Sequence, residues 1–197
     1  LKKTSHRVTT VEGIRVEKAV LNIEARGRGK VIAALTSEQV TAQLVGKTLK
    51  AEQQKSVIDI CTTTDRFVAA QGFDGTAKSY MSMSAKAVLE SQGFNVTALA
   101  PYGTQKKSLE DEGMPARTVA AFVKAKDKKI DEKSVVFIDE AGVIPARQMK
   151  VLMETIEKAG ARAVFLGDTS QTKAVEAGKP FEQLISAGMQ TSYMKDI

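Results

Sequence analysis

The sequence predicts an α/β domain, a mainly parallel sheet flanked by helices, and three observations carry that prediction. From Lys50 onward, short apolar runs alternate with longer segments of helical period, the rhythm of a parallel sheet wrapped by helices. The apolar runs end in glycine or acidic residues, at Gln71-Gly72, Asp139-Glu140 and Gly167-Asp168, and in open α/β sheets ligands bind beyond such carboxyl ends. The chain has 197 residues, enough for one domain with a substantial core, since domains cluster at roughly 100–150 residues.

The elements follow in order. Thr9-Thr10 precedes Val11, Ile14, Lys18, Leu21 and Ala25, a spacing of three and four that predicts an amphipathic helix with a threonine N-cap. It stops at Gly27-Arg28-Gly29-Lys30, where Arg26, Arg28 and Lys30 read as a solvated helix end complementing the dipole rather than as phosphate contacts. Residues 1–48 are accordingly expected to form an N-terminal helical segment and residues 49–197 the α/β lobe. Within the lobe the pattern predicts helix 51–62, strand 66–71, a loop 72–77, helix 78–92 ended by Gly93, and strand 95–100. Short helices are expected at 105–112 and 117–126, then strand 134–138, helix 146–159, strand 162–166, helix 180–186 and a last strand at 191–194. The mixed-charge run from Lys124 to Lys133 reads as an exposed loop. Phe122 and Phe181 fall at apolar helical positions and are expected in the core, as are Met149, Val151, Leu152 and Ile156 on one helix.

Composition narrows the function classes. Lys and Arg outnumber Asp and Glu by 29 to 23, a net charge of +6 that favours a polyanionic partner. The one cysteine, Cys61, lies in the apolar series Val57, Ile58, Ile60 and reads as a buried structural thiol, and the lone His6 has no partner suggesting catalysis or metal binding. There is neither an apolar run of about 18 residues nor a signal-peptide pattern, so a cytoplasmic protein without membrane insertion is expected. The chain starts at Leu1 and its final segment stops in mid-pattern, which reads as a piece of a longer protein.

Three strand ends carry chemistry. Gly72, Asp74, Gly75, Thr76, Ala77, Lys78 and Ser79 fit the phosphate-loop pattern G-x-x-x-x-G-K-[ST] except that Ala77 replaces the last glycine. In such a loop backbone N–H groups hold the phosphates, the lysine reaches the β and γ phosphates and the hydroxyl binds Mg²⁺. Next, Val135 to Glu140 is an apolar strand delivering an acidic pair, a Walker B arrangement in which Asp139 belongs to the Mg²⁺ shell and Glu140 orients water. Finally, Gly167, Asp168 and Gln171 end the following strand, in the pattern of the helicase motif that couples γ-phosphate to DNA.

The resemblance is specific at several further points. The run Leu49 to Val57, with Gln53 and Gln54, resembles the adenine-reading motif of RecD-like helicases, and Val96 to Pro101 resembles their DNA-contacting strand. The phrase from Gly167 through Gln171 and Gly178 to Phe181 is similar to the same group. Nearly the whole chain resembles the TraI-type relaxase/helicases of conjugative plasmids, specifically the N-terminal RecA-like lobe of their degenerate first superfamily 1B core. That resemblance implies a P-loop NTPase fold and a parent protein that nicks and unwinds DNA using ATP and Mg²⁺. For this lobe it implies single-stranded DNA binding without a motor and no cofactor of its own. The remaining relaxase and helicase domains are the implied partners, with the type IV secretion coupling protein as a further one.

The residues support a damaged nucleotide site independently. A left-handed backbone angle that glycine tolerates costs an L-residue roughly 1–2 kcal/mol, which bears on Ala77. Asp74 brings a carboxylate to the loop, and two unit charges about 4 Å apart interact by about 4 kcal/mol at an effective dielectric near 20. Hydrolysis would also need arginines from a second lobe, before which the chain stops. Asp139, Glu140, Gly167, Asp168 and Gln171 are therefore expected to be vestigial, and Ser79 with Asp139 a vestigial Mg²⁺ site. After the second strand, Tyr102 is expected to stack on a base, with Thr104, Gln105, Lys106 and Lys107 beside it on the DNA path and the lysines neutralising phosphates. Two alternatives remain at this point: an active ATP-dependent lobe, and a docking surface for the coupling protein.

Overall fold

The computed structural model describes residues 11–72, 76–169 and 179–194, with Thr76 and Ala77 as backbone only. His6 and the Thr9-Thr10 cap lie outside the described residues. The helices are α1 (Val11–Gly27), α2 (Ser37–Leu44), α3 (Ala51–Thr62), α4 (Thr76–Ser91), α5 (Gly103–Asp111), α6 (Val119–Lys124), α7 (Ala146–Lys158) and α8 (Pro180–Ser186). The strands are β1 (Phe67–Gly72), β2 (Asn95–Ala100), β3 (Ala116–Thr118), β4 (Ser134–Ile138), β5 (Arg162–Gly167) and β6 (Thr191–Met194). They form one six-stranded sheet in the order β3-β2-β4-β5-β1-β6, and every pairing is parallel.

Alternate residues of each strand feed opposite faces, which yields two cores. Val68, Ala70, Val135, Phe137, Val164 and Leu166 pack with α2, α3 and α4, whereas Phe67, Ala69, Val136, Ile138, Ala163 and Phe165 pack with α1, α6, α7 and α8. Both faces are covered, so β4 is buried at every position, as parallel strands require. Cys61, Phe122 and Phe181 are buried as expected, and burial pushes the Cys61 thiol up to about 12. Among the described residues no helix is long and apolar enough to cross a membrane.

Three readings need correction. The expected helix 117–126 is a three-residue strand, β3, followed by the short α6; Thr118 ends the strand and its hydroxyl accepts from the Ala121 N–H to start the helix. Val151 is 39% exposed and outside the core, because it lies two residues from Met149 and two helical steps rotate a side chain to the far face. The helix expected at 105–112 is present as α5, which starts two residues earlier, at Gly103. The Arg26 and Arg28 cluster is a pair of tethers rather than a free helix end. Arg26 bridges to Glu157 of α7 at 2.8 Å, and Arg28 grips buried Glu24 at 2.7 Å and donates to the Ala187 carbonyl at 3.0 Å. The α2 helix, which no strong periodicity announces, is secured by a capping box: Thr36 Oγ1 accepts from the Gln39 N–H and Gln39 Oε1 accepts from the Thr36 N–H.

Candidate nucleotide and nucleic-acid site

Parallel pairing puts every strand's carboxyl end on one edge, so Gly72, Ala100, Ile138 and Gly167 finish side by side. Gly72 allows close approach of β6: a Cβ there would lie 3.2 Å from Met194 Cε and 3.4 Å from its carbonyl oxygen. Gly167 has a similar role, since a Cβ would come within 2.9 Å of the Phe181 ring and 3.5 Å of the Gly142 nitrogen. The glycines thus let the neighbouring elements close on the strand ends.

The first turn of α4 carries Lys78, 8% exposed, and half-buried Ser79. Ser79 shares with Asp139 a cavity of about 30 Å³, room for roughly one water or bare ion. The structure therefore brings together the hydroxyl and carboxylate that the sequence assigns to Mg²⁺, and these oxygen donors suit that ion's chemistry. A third oxygen donor, Glu112 at the carboxyl end of α5, lines the same cavity. Sequence reasoning missed Glu112 because it lies remote in the chain from either motif. Burial pushes the Asp139 carboxyl above its ordinary range; a hydrogen bond from the Glu140 backbone and then the Lys78 charge oppose the rise, and Glu112 adds to it.

Asp139 N–H donates to the Leu99 carbonyl at 2.9 Å, extending the ladder one residue past β4. Glu140 then adopts a left-handed backbone, φ 47° and ψ 43°, which turns the chain into the 3₁₀ turn 141–143. Asp168 is buried at the end of β5. Beside it the Gln71 carboxamide donates to Thr169 Oγ1 at 2.6 Å, joining the end of β1 to the loop after β5. Asp74, Gly75 and Gln171 lie outside the described residues, as do the side chains of Thr76 and Ala77.

The two glutamines assigned to adenine both bond the chain entering α3. Gln53 is buried and its Oε1 accepts from the Lys50 N–H at 2.8 Å, while Gln54 donates to the Leu49 carbonyl at 3.0 Å. Beyond β2, Tyr102 is the N-cap residue of α5 and is 60% exposed. Thr104 donates to Gln105 at 2.7 Å, Lys106 pairs with Glu110 at 2.7 Å, and Lys107 is exposed without an ion pair among the described residues. Those residues likewise contain no cluster of three His, Cys, Asp or Glu able to hold a metal.

A family model described as an AAA domain matches residues 48–197. The chain belongs to that AAA domain family. Its RecA-like α/β fold and P-loop position agree with the membership. Over 138 residues the chain is 33% identical to the probable conjugal transfer protein TraA of Sinorhizobium fredii, a match covering 68% of the chain and 12% of that protein. It is 29% identical over 195 residues, 92% of the chain, to the multifunctional conjugation protein TraI of Escherichia coli K12, of which it covers 11%. The ATP-dependent RecD2 DNA helicase of Deinococcus radiodurans is 29% identical over 145 residues, 70% of the chain and 20% of that protein. The chain thus spans a small part of each relative, and the likeness to conjugation and RecD-like proteins expected from the motifs is found.

Proposed function

We propose that this AAA domain is a helicase-type module of a conjugation protein that binds single-stranded DNA and does not hydrolyse ATP. The observation that carries the reading is the sequence of the phosphate loop, in which Ala77 replaces the last glycine of the pattern and Asp74 adds a carboxylate. Lys78 is buried within the field of Asp139, and a cavity of about 30 Å³ lined by Ser79, Asp139 and Glu112 has room for one water or bare ion. Tyr102 supports the DNA half, because a 60% exposed ring at the carboxyl edge, with exposed Lys107 on the helix that follows it, offers the stacking face and cation that single strands use. In this reading the strand is held by stacking and phosphate contacts without a nucleotide cycle.

Titration of the chain with labelled oligothymidylate and, separately, with Mg-ATP tests both halves. The expected outcome is salt-sensitive DNA binding that Tyr102→Ala weakens by roughly 5- to 150-fold, the equivalent of about 1–3 kcal/mol per stacked base. No micromolar Mg-ATP binding is expected. Micromolar Mg-ATP affinity would sink the non-hydrolytic half, and salt-independent DNA affinity the other. The retained pairing of Ser79 with Asp139 favours one competing reading, an active lobe. The double variant Asp74→Ala, Ala77→Gly separates them: a large gain in nucleotide binding marks the native loop as broken, and no change in a protein that already binds well marks a working one.

A further inference from the structure

The amino-terminal edge of the sheet, opposite the nucleotide motifs, holds a cleft of about 620 Å³, within the size range of small-ligand sites. Strand starts build its floor. Lys133 precedes β4, Arg162 opens β5 and Arg66 precedes β1, and these three strands are neighbours, so parallel pairing sets three cations along one edge. Lys30 adds a fourth from the segment after α1, against one lining carboxylate, Glu132. None of the four cations forms an ion pair among the described residues.

The cations are held in place without being neutralised. Arg66 Nη1 donates to the Ala161 carbonyl at 2.7 Å and Arg162 Nη2 to the Ile32 carbonyl at 2.6 Å. Arg162 Nε is buried and has no hydrogen-bond partner. The Phe94 ring lies 4.8 Å from Lys133 Nζ and 4.6 Å from the Arg162 guanidinium carbon, which fixes both heads over an aromatic surface. Burial, and next the adjacent Arg66 charge, weaken the hold of Arg162 on its proton. Like charges held side by side without a counter-ion are costly, and an anion in the cleft removes that cost.

We propose that this cleft binds the phosphodiester backbone of single-stranded nucleic acid, as a contact separate from the Tyr102 edge. The choice of nucleic acid rests on the proposed DNA function; the anion site itself rests on the cleft. A backbone carrying a charge on every unit matches cations spread over successive strand starts, whereas a single carboxylate would satisfy one of them. On the lip, Ile32 is 85% exposed and offers an apolar face to a base.

The test uses fluorescent oligothymidylate with the 197-residue chain across a salt series, and polyglutamate as competitor. Lys30→Glu with Lys133→Glu reverses two exposed charges, and Tyr102→Ala with Lys107→Ala disables the opposite edge. The cleft variant is expected to weaken binding about tenfold or more at low salt and to reduce the salt slope by about 1.4, for two lost single-strand phosphate contacts. Glu132→Lys is expected to tighten binding, a gain that misfolding cannot produce. Unchanged affinity in the cleft variant, with loss in the Tyr102 variant, overturns this inference and leaves the proposed function standing. Loss confined to polyglutamate binding also overturns it, in favour of an acidic peptide. Absence of oligothymidylate binding by the parent chain overturns both.

Discussion

Replacing Glu140 with glycine should leave the AAA domain more stable than replacing it with alanine, although glycine ordinarily weakens a fold. Glu140 has φ 47° and ψ 43°, one of two non-glycine residues with positive φ among those described, the other being Lys129. An L-residue pays roughly 1–2 kcal/mol for the left-handed region, and glycine pays almost none there. Against this, glycine's freer unfolded chain costs roughly 0.5–1 kcal/mol. Glu140→Ala is the reference, because it also removes the carboxylate and its contacts but keeps the Cβ. Glycine should therefore exceed alanine by about 0.5–1 kcal/mol, or about 1–4 °C in Tm at this chain length. Thermal and urea denaturation of both variants measure the difference. Equal stability, or a more stable alanine variant, would refute the claim that the backbone at this site is strained. Strain at this position is also functionally informative, since it turns the chain sharply after Asp139 and brings Gly142 against Gly167.

Three other outcomes follow from the packing and the charges. Asp139→Asn should stabilise the domain at neutral pH: burial raises the folded carboxyl above its unfolded value, so the wild type loses stability as pH rises through that window, and the advantage of the variant over wild type should shrink in urea melts as pH falls toward 3.8. Gly27→Ala places a Cβ 2.7 Å from Cδ2 of the buried Phe67 ring, and overpacking of this kind should cost about 1–3 kcal/mol, read as a fall in the urea midpoint; an unchanged midpoint means that α1 does not dock as described. Arg28→Ala leaves Glu24, 1% exposed, without its guanidinium and should cost about 1–3 kcal/mol, with Arg28→Lys recovering only part; full stability in the alanine variant would show that Glu24 finds another partner.

Much of the fold is legible because parallel strands buried on both faces stand out as apolar runs, as at β4 and β5, and because glycines such as Gly93 and Gly160 stop helices with left-handed turns. The three residues of β3 carry no period, and their pairing with Ala98 to Ala100 is a tertiary fact. Val151 misled because residue type alone suggested the core, whereas its angular position on α7 decides its exposure. In the site, Ser79 and Asp139 were readable together because each sits one or two residues past a structural boundary the pattern marks. Glu112 was not, because it reaches their cavity from the end of a helix with no buried residue. The cationic cleft was invisible for a different reason: Arg66, Lys133 and Arg162 are far apart in sequence, and only the order β4-β5-β1 makes them neighbours.

The two sheet edges consequently differ in how their charges are balanced. Among the described residues of the carboxyl edge Lys106 is matched by Glu110 and Lys78 acts within the field of Asp139, while Lys107 forms no ion pair. At the amino edge Arg66, Arg162, Lys30 and Lys133 face one carboxylate and form no ion pair among the described residues. Long-range attraction depends on uncompensated charge, and screening over about 8–10 Å at moderate salt confines it to the nearer edge. Of the described residues, those of the amino edge would therefore attract a polyanion more strongly than those of the motif-bearing edge, even though the helicase motifs occupy only the latter. Substitutions at the motifs should then alter stacking and residence more than encounter, while charge reversal at Lys30 and Lys133 should lower the association rate, with the largest effect at low salt.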